Sequence, residues 1–158
     1  MIKICVIAVG GIKEKEFAGA ISEYEKRLGA FCDISVVEIK LAATPEDPSP
    51  AQISSALSSE ARSVIAKIPK DALVFPLCIE GARMSSEEFA KQIESGVNAG
   101  KSICFIIGSS HGLDGEIKRL GTKISFSDMT FPHTLFRLML VEQIYRAFCI
   151  IAGTPYHK

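Results

Sequence analysis

The sequence predicts a three-layer α/β domain with a mostly parallel sheet, and two observations indicate this. Short runs rich in β-branched residues alternate with longer segments in which apolar residues recur every three or four positions. Apolar residues make up 47% of the 158 residues and charged residues 23%, which allows a packed core and excludes global disorder. No composition change divides the chain, so residues 1–158 are predicted to form a single domain.

The predicted strands are runs of apolar and β-branched residues. The first reads IKICVIAV and ends at two glycines, which mark a turn. The fourth, SICFII, is wholly apolar, as is typical of a strand buried on both faces. Pro76 lacks an N–H and therefore indicates an edge or an end for the third strand. The predicted strands are Ile2–Val9, Ile34–Ile39, Leu73–Ile79, Ser102–Ile107 and Lys123–Phe126.

The predicted helices lie between these strands, apart from the last one. Ser85 and Glu88 have the spacing of a capping box, and Pro132 is expected at the first position of the final helix. That final helix is apolar almost all round, which favours burial against a second subunit. The segment Thr44–Pro50 contains three prolines and is predicted to be a loop. The predicted helices are Lys13–Leu28, Ala51–Ile68, Ser85–Ala99, a short one from Leu113 to about Leu120, and Pro132–Ile151.

The charges exclude a uniformly basic nucleic-acid binder, because 18 Lys and Arg balance 18 Asp and Glu. The distribution is uneven along the chain. Residues 117–158 contain six basic and two acidic side chains, whereas residues 71–116 contain three and seven. The C-terminal part of the chain could therefore bind a polyanion, although ordinary surface scatter explains the same counts.

The five cysteines have neither CxxC nor zinc-ribbon spacing. Cys5, Cys78, Cys104 and Cys149 lie in apolar runs and are predicted to be reduced, buried thiols. Their odd number and the lack of a secretory signal predict a cytoplasmic protein. The three histidines are far apart in sequence, so no metal site is predicted. No apolar run reaches the roughly 18 to 20 residues that cross a bilayer.

Ligands of open α/β sheets bind where loops follow the carboxyl ends of strands. The loops at these ends are Gly10-Gly11, Glu80-Gly81, Gly108–Gly112 and Ser127–Phe131. The third lacks both the GxGxxG pattern and the lysine of a P-loop, so a standard dinucleotide or triphosphate site is disfavoured and a plain tight turn stays open. The fourth belongs to a mostly apolar segment that could enclose a purine or simply fill the core.

Two further groups of polar residues lie near the C-terminus. Glu142 and Arg146 are spaced i, i+4 in the last helix and can pair there. Tyr156, His157 and Lys158 combine a phenol, an imidazole and an ammonium group, which can stack on a base and contact phosphate. A frayed terminus is the structural alternative for these three residues.

Four segments occur together in an order that is typical of one family. They are Leu77–Gly81, Ile106–Leu113, Phe126–His133 and Pro155–Lys158. Over essentially the whole chain they resemble the ribosomal RNA large subunit methyltransferase H family of the SPOUT superfamily. The resemblance implies a single SPOUT methyltransferase domain with a C-terminal trefoil knot that works as a homodimer. It also implies S-adenosylmethionine-dependent methylation of N3 of a pseudouridine in 23S rRNA, on the assembled ribosome.

The resemblance also implies roles for individual residues. The C-terminal Tyr156, His157 and Lys158 would reach the partner subunit's site, and Glu142 matches a carboxylate implicated in activity. We expect His157 to accept the N3 proton, because a neutral imidazole is available near pH 7. Lys158 replaces a common arginine, and Ser109 replaces a common glycine. The implied cofactor-binding residues are Leu77, Gly108, Phe126, Ser127, Asp128, Met129, Thr130 and Phe131.

The sequence leaves three alternatives open. The first is a SPOUT methyltransferase with another RNA target. The second is a ribosome-binding factor that keeps the fold without catalysis, and the intact cofactor-loop residues argue against it. The third is a flavodoxin-like nucleotide-binding module, which the atypical glycine loop disfavours. The zero net charge predicts weak binding of free RNA and stronger binding of a large shaped particle by two subunits.

Overall fold

The computed structural model describes all 158 residues, which form a five-stranded parallel sheet covered by helices on both faces. The strand order is β2-β1-β4-β3-β5, and every strand pair is parallel. The strands are β1 (Ile2–Val9), β2 (Cys32–Ile39), β3 (Leu73–Arg83), β4 (Ile103–Ile107) and β5 (Ile124–Ser125). The helices are α1 (Lys15–Leu28), α2 (Pro50–Ile65), α3 (Ser86–Asn98), α4 (Gly115–Lys118) and α5 (His133–Ala152).

The adjacent strands β1 and β4 show how the sheet comes to lie between two layers of helices. All five residues of β4 are buried, and alternate residues of β1 enter different core clusters because successive side chains of a strand point to opposite faces. Ile4 and Val6 pack with residues of α1, α3 and α5. Cys5 and Ile7 pack with residues of α2 and α4. The predicted α/β class and its parallel sheet are therefore confirmed.

Local sequence signals define several helix ends. Ser85 and Glu88 form the predicted capping box: Glu88 N donates to Ser85 Oγ at 3.1 Å, and Ser85 N donates to Glu88 Oε2 at 2.7 Å. A second box, between Ser49 and Gln52, begins α2 and was not predicted. Pro132 is the N-cap of α5, with ψ of 139°, so its predicted place inside the first turn is wrong by one residue.

Pro76 does not mark a sheet edge, which corrects the sequence prediction. It is paired in register with Ile106, inside a strand that runs between β4 and β5. Leu73 N donates to the carbonyl of Ser102, which directly precedes β4, whereas Val74 O accepts from the N–H of Thr122, which lies just before β5. Successive residues of a strand direct their backbone groups to opposite neighbours. The N–H that Pro76 lacks would therefore face β5, as the backbone groups of Val74 do, and β3 pairs with β5 only from Leu77 onwards.

The segment leading into β5 passes very close to β3. A Cβ on Gly121 would overlap the carbonyl group of Val74, and a Cβ on Gly81 would lie 2.5 Å from the carbonyl carbon of Ile124. Glycine is required at both positions because two backbones meet there.

The trefoil knot implied by the resemblance stays a prediction. No helix combines the length and the apolar character needed to span a membrane.

The cysteine predictions need one correction. Four thiols are buried, but these are Cys5, Cys32, Cys104 and Cys149, whereas Cys78 is only partly buried. Cys78 follows Leu77 at the carboxyl end of the region where β3 pairs with β4, so one side of it faces a cavity. No disulfide forms among the five.

Candidate functional site

A cavity of about 700 Å³ opens at the carboxyl ends of β3, β4 and β5. It is lined by residues of three of the four loops predicted at strand ends, Glu80-Gly81, Gly108–Gly112 and Ser127–Phe131, which are 27 and 15 residues apart along the chain. Its volume falls within the roughly 300 to 1,000 Å³ that is typical of small-molecule and cofactor sites. Seven of the eight residues predicted to bind a cofactor line it: Leu77, Gly108, Phe126, Ser127, Met129, Thr130 and Phe131.

Asp128 is the predicted cofactor residue that does not line the cavity. Its carboxylate forms an exposed ion pair with Arg83 at the end of β3. The neighbouring turn is held by Ser127, whose Oγ accepts from Met129 N at 3.0 Å and whose carbonyl accepts from Ser125 Oγ at 3.0 Å. The Phe126–Phe131 loop is therefore fixed by its own polar groups and by β3, and Asp128 contributes to its anchoring.

The Gly108–Gly112 loop folds back on itself. Ser109 and Gly112 form an isolated antiparallel bridge, and Gly112 N donates to Ser109 O at 2.9 Å. A Cβ on Gly108 would lie 2.6 Å from the carbonyl carbon of Gly112, so the loop itself requires glycine at 108. Gly112 has a φ of 84°, which also favours glycine. Ser109 has no positive φ, so a serine is accommodated there without strain.

The groups around this cavity suit an adenosyl ligand. Leu77, Ile107 and Phe131 supply apolar walls, which a planar base requires. The backbone N–H groups of Thr130 and Phe131 make no hydrogen bond within the chain. Donors of this kind can bind the polar edge of a purine. The residues present therefore fit the nucleoside portion of the cofactor that the sequence predicts.

Glu60 is a buried carboxylate beneath the glycine loop that the sequence analysis missed. It is 5% exposed, accepts from Ala42 N at 3.0 Å and contacts Ser109 Oγ at 3.4 Å. It lies on α2 among the buried residues Ala56, Ala61 and Val64. A charged residue at an inward-facing helical position was the available signal.

Arg137 ties α5 to the loop after β1. It is 3% exposed, and its guanidinium donates to Glu38 Oε1 at 2.8 Å and to Gly10 O at 2.9 Å. One turn earlier, His133 Nε2 lies 3.4 Å from Gly11 O and also lines the cavity. Gly10-Gly11 therefore supports the cavity through α5 and does not line it.

Three of the four predicted catalytic residues, Glu142, Tyr156 and His157, cluster around Arg146. Arg146 Nη2 donates to Glu142 Oε1 at 2.6 Å, and Tyr156 Oη donates to the same oxygen at 3.0 Å. The Arg146 guanidinium carbon lies 4.8 Å from the centroid of the Tyr156 ring. Burial and the hydrogen bonds with Tyr24 and Glu142 raise the pKa of Tyr156, so the phenol keeps its proton at neutral pH. The frayed-terminus alternative therefore does not describe Tyr156.

His157 contacts charged groups at both ring nitrogens. Its Nδ1 lies 3.3 Å from Arg146 Nη1, and its Nε2 lies 2.8 Å from Glu87 Oε1. The hydrogen bond with His157 is the main reason why the pKa of Glu87 is lowered to about 2. Glu87 was missed by the sequence analysis, which treated its segment only as a helix start. Lys158 is exposed.

The tail cluster and the cavity are separate in the chain. None of the four predicted catalytic residues lines the cavity. Glu142 instead borders a second, mostly apolar cavity of about 500 Å³ between α1, α3 and α5. Phe126 lines both cavities and separates them. The predicted cofactor residues and the predicted catalytic residues therefore lie in different places in the folded chain.

Comparison with known proteins identifies the family. The family model described as "Predicted SPOUT methyltransferase" matches residues 2–157. The chain belongs to this family. A relative from Ligilactobacillus salivarius, named ribosomal RNA large subunit methyltransferase H, is 48% identical over 98% of this chain and 99% of its own length. Relatives with the same name from Listeria monocytogenes and Bacillus pumilus are 45% and 46% identical over the same shares.

Membership confirms the resemblance stated from the sequence and the enzyme class, a methyltransferase. The parallel α/β sheet is consistent with the SPOUT fold. No three His, Cys, Asp or Glu side chains come together in a group that could hold a metal ion.

Proposed function

We propose that this chain transfers a methyl group from S-adenosylmethionine to N3 of a pseudouridine in 23S rRNA, on the assembled ribosome in the cytoplasm. The observation that supports this most strongly is one cavity at the strand ends, which is lined by seven of the eight cofactor residues that the family resemblance implies. The names of the relatives, which specify large-subunit ribosomal RNA, support the choice of substrate.

The cavity would hold the methyl donor through its own loops. Leu77, Ile107 and Phe131 would contact the faces of adenine, and the free N–H groups of Thr130 and Phe131 would bind its edge. The bound donor supplies an electrophilic methyl group on a sulfonium centre. Because that carbon is already activated, the protein mainly has to hold the acceptor nitrogen in line with it.

The tail cluster would act on the acceptor base. N3 lies between two carbonyl groups and must lose its proton, and His157 would accept it. Arg146 and Lys158 would stabilise the negative charge that develops on the base. Tyr156, which stays protonated and contacts Arg146 through its ring, would stack against or orient the base. Glu142 accepts hydrogen bonds from Arg146 and Tyr156 and would keep both side chains close to the base.

The separation of the cavity from the tail cluster supports a homodimer. A second copy can place its Tyr156, His157 and Lys158 beside the cavity of the first, so each active site would be composite. The chain as a whole is apolar for a globular protein, with a mean hydropathy of +0.25. Leu135, Leu138 and Met139 of α5 line the second, mostly apolar cavity, which a partner subunit would cover.

A transfer assay tests this proposal. Ribosomes from a strain that lacks the gene, free large subunits and a naked RNA hairpin are each incubated with the protein and S-adenosylmethionine carrying a labelled methyl group. We expect label on one pseudouridine of ribosomal 23S rRNA and little on the hairpin. Label on another RNA alone would support the alternative target. Donor binding in a titration without transfer to any RNA would support the non-catalytic ribosome-binding factor.

A further inference from the structure

We propose that Glu87 is a positioning residue that fixes His157 with its proton on Nε2 and leaves Nδ1 as the atom that accepts a proton. This inference rests on the function proposed above. It starts from two contacts on opposite sides of one ring: Glu87 Oε1 lies 2.8 Å from Nε2, and Arg146 Nη1 lies 3.3 Å from Nδ1.

The tautomer follows from the chemistry of these partners. A guanidinium group has donors and no acceptor, so Nδ1 must present its lone pair to Arg146. A neutral imidazole carries one proton, which therefore lies on Nε2. Nε2–H donates to the carboxylate of Glu87, which is ionised at neutral pH and can only accept. The three side chains specify a single protonation pattern.

A carboxylate that accepts from one imidazole nitrogen prepares the other nitrogen for catalysis. It holds the ring in one orientation and stabilises the imidazolium that forms when the second nitrogen takes a proton. Glu87 accepts from Nε2 of His157 and thereby prepares Nδ1 to take the proton. Arg146 shields Nδ1 in the unbound protein, and its attraction to an anionic base or phosphate would draw it from the ring when RNA binds.

The proposed step balances in atoms and charge. N3 of the base gives its proton to Nδ1, and the N3 lone pair bonds to the methyl carbon. The electron pair of the broken carbon–sulfur bond stays on sulfur, which leaves as the thioether of S-adenosylhomocysteine. The imidazolium lies against the carboxylate of Glu87 and afterwards returns its proton to water.

Glu87 can be changed without disturbing the core. It lies in the first turn of α3, its side chain is 56% exposed, and the capping box of that helix is made by Ser85 and Glu88. Glu94, an exposed carboxylate on the same helix, makes no side-chain hydrogen bond or ion pair and provides a matched control. The contact partner, His157, lies 70 residues away along the chain.

The test compares Glu87→Ala, Glu87→Gln and Glu94→Gln in the full-length protein. Nitrogen-15 spectra of the imidazole rings report the tautomer of His157 in the free protein, and single-turnover transfer to ribosomes lacking the modification reports its use. We expect Nε2–H in the wild type and in Glu94→Gln. Glu87→Ala should give mixed tautomers and a fall in rate of roughly tenfold to a hundredfold, with unchanged affinity for S-adenosylmethionine. Glu87→Gln keeps an oxygen acceptor, so it should keep the tautomer and lose only part of the rate.

Two results would overturn the inference: an Nδ1–H tautomer in the wild type, or wild-type spectra together with wild-type rates in Glu87→Ala. The spectra separate this inference from the proposed function. If the wild type methylates no RNA, the proposed function fails, while the ring spectra still decide whether Glu87 fixes the tautomer.

Discussion

Tyr156 Oη donates a hydrogen bond of 3.0 Å to Glu142 Oε1, and this contact joins the C-terminal tail to the middle of α5. The ring of Tyr156 also packs against Tyr145, with centroids 4.9 Å apart. The tail is thus held by polar and aromatic contacts at the same residue. A tail fixed in this way presents His157 in a defined position instead of sampling many.

Replacing the phenol of Tyr156 tests how much its hydrogen bond to Glu142 contributes to stability and to methyl transfer. Tyr156→Phe keeps the aromatic contacts but leaves Glu142 without this donor, so we expect a loss of about 1 kcal/mol in the free energy of unfolding and slower methyl transfer. Denaturant unfolding and single-turnover rates measure the two effects. Tyr24→Phe removes only the longer contact of 3.4 Å to Tyr156 and should change both less. Equal effects of the two variants would contradict the role given to Glu142.

A methyl group at position 108 should damage the glycine loop. Because its Cβ would lie 2.6 Å from the carbonyl carbon of Gly112, Gly108→Ala should lower the free energy of unfolding by about 1–3 kcal/mol and weaken binding of S-adenosylmethionine. Gly19→Ala is the control, since nothing lies within 4 Å of its Cβ. That change, in the exposed part of α1, should stabilise the protein by about 0.5–1 kcal/mol. Calorimetric titration and thermal unfolding measure both outcomes, and donor affinity unchanged in Gly108→Ala would refute the prediction.

Arg137 should not be replaceable by lysine. A single ammonium group cannot reproduce the two directed bonds to Glu38 and Gly10, so Arg137→Lys should lower the free energy of unfolding by about 1–3 kcal/mol. Arg62→Lys, on the exposed face of α2, should be close to neutral. Urea unfolding of both variants provides the comparison. Similar stabilities would mean that the bonds of Arg137 contribute little.

Cys78 should report occupancy of the cavity. It is the one cysteine that is not buried, and it lines the cavity. Burial and the nearby Glu80 raise its pKa, so alkylation at neutral pH should be slow but selective for this thiol. Mass spectrometry after treatment with N-ethylmaleimide should show one labelled cysteine, and S-adenosylhomocysteine should slow the labelling. Equal labelling rates with and without S-adenosylhomocysteine would place the ligand elsewhere.

The pH dependence of stability should reveal the contact between Glu87 and His157. The pKa of Glu87 is lowered from its usual 4.5 to about 2, so the folded state favours the ionised carboxylate. Its contribution is fully present above pH 4.5 and is lost as the pH falls from 4.5 towards 2. The stability difference between the wild type and Glu87→Gln should therefore shrink over this range, as measured by denaturant unfolding at several pH values. Glu94→Gln should show no such trend, and a constant difference for Glu87→Gln would contradict the contact.

Local patterns predicted most of the fold because the information lay within single segments. The bounds of β1 were predicted correctly from one β-branched run that ends at two glycines, and the capping box of Ser85 was predicted from four residues. The length of β3 was not predictable in this way. It continues to Arg83 because Ala82 and Arg83 pair with β5, a partner some 40 residues later in the chain. A two-residue strand such as β5 has almost no signal of its own.

The candidate site was predictable where its loops follow strands and unpredictable where it depends on distant contacts. Strand ends predicted the Glu80-Gly81, Gly108–Gly112 and Ser127–Phe131 loops at one edge of the sheet, and the family resemblance implied Leu77, Gly108 and the run Phe126–Phe131 as cofactor residues. Glu87 and Glu60 were missed because their partners lie 70 and 49 residues away in sequence. Neither carboxylate belongs to a motif, and only the folded chain shows what it contacts.

The measurement that tests the proposed function most directly is mass spectrometry of 23S rRNA from cells with and without the gene. We predict that one pseudouridine-containing fragment is a methyl group heavier when the gene is present, and that the added mass returns when the gene is restored. Identical fragment masses in the two strains would contradict the assignment of 23S rRNA as the substrate.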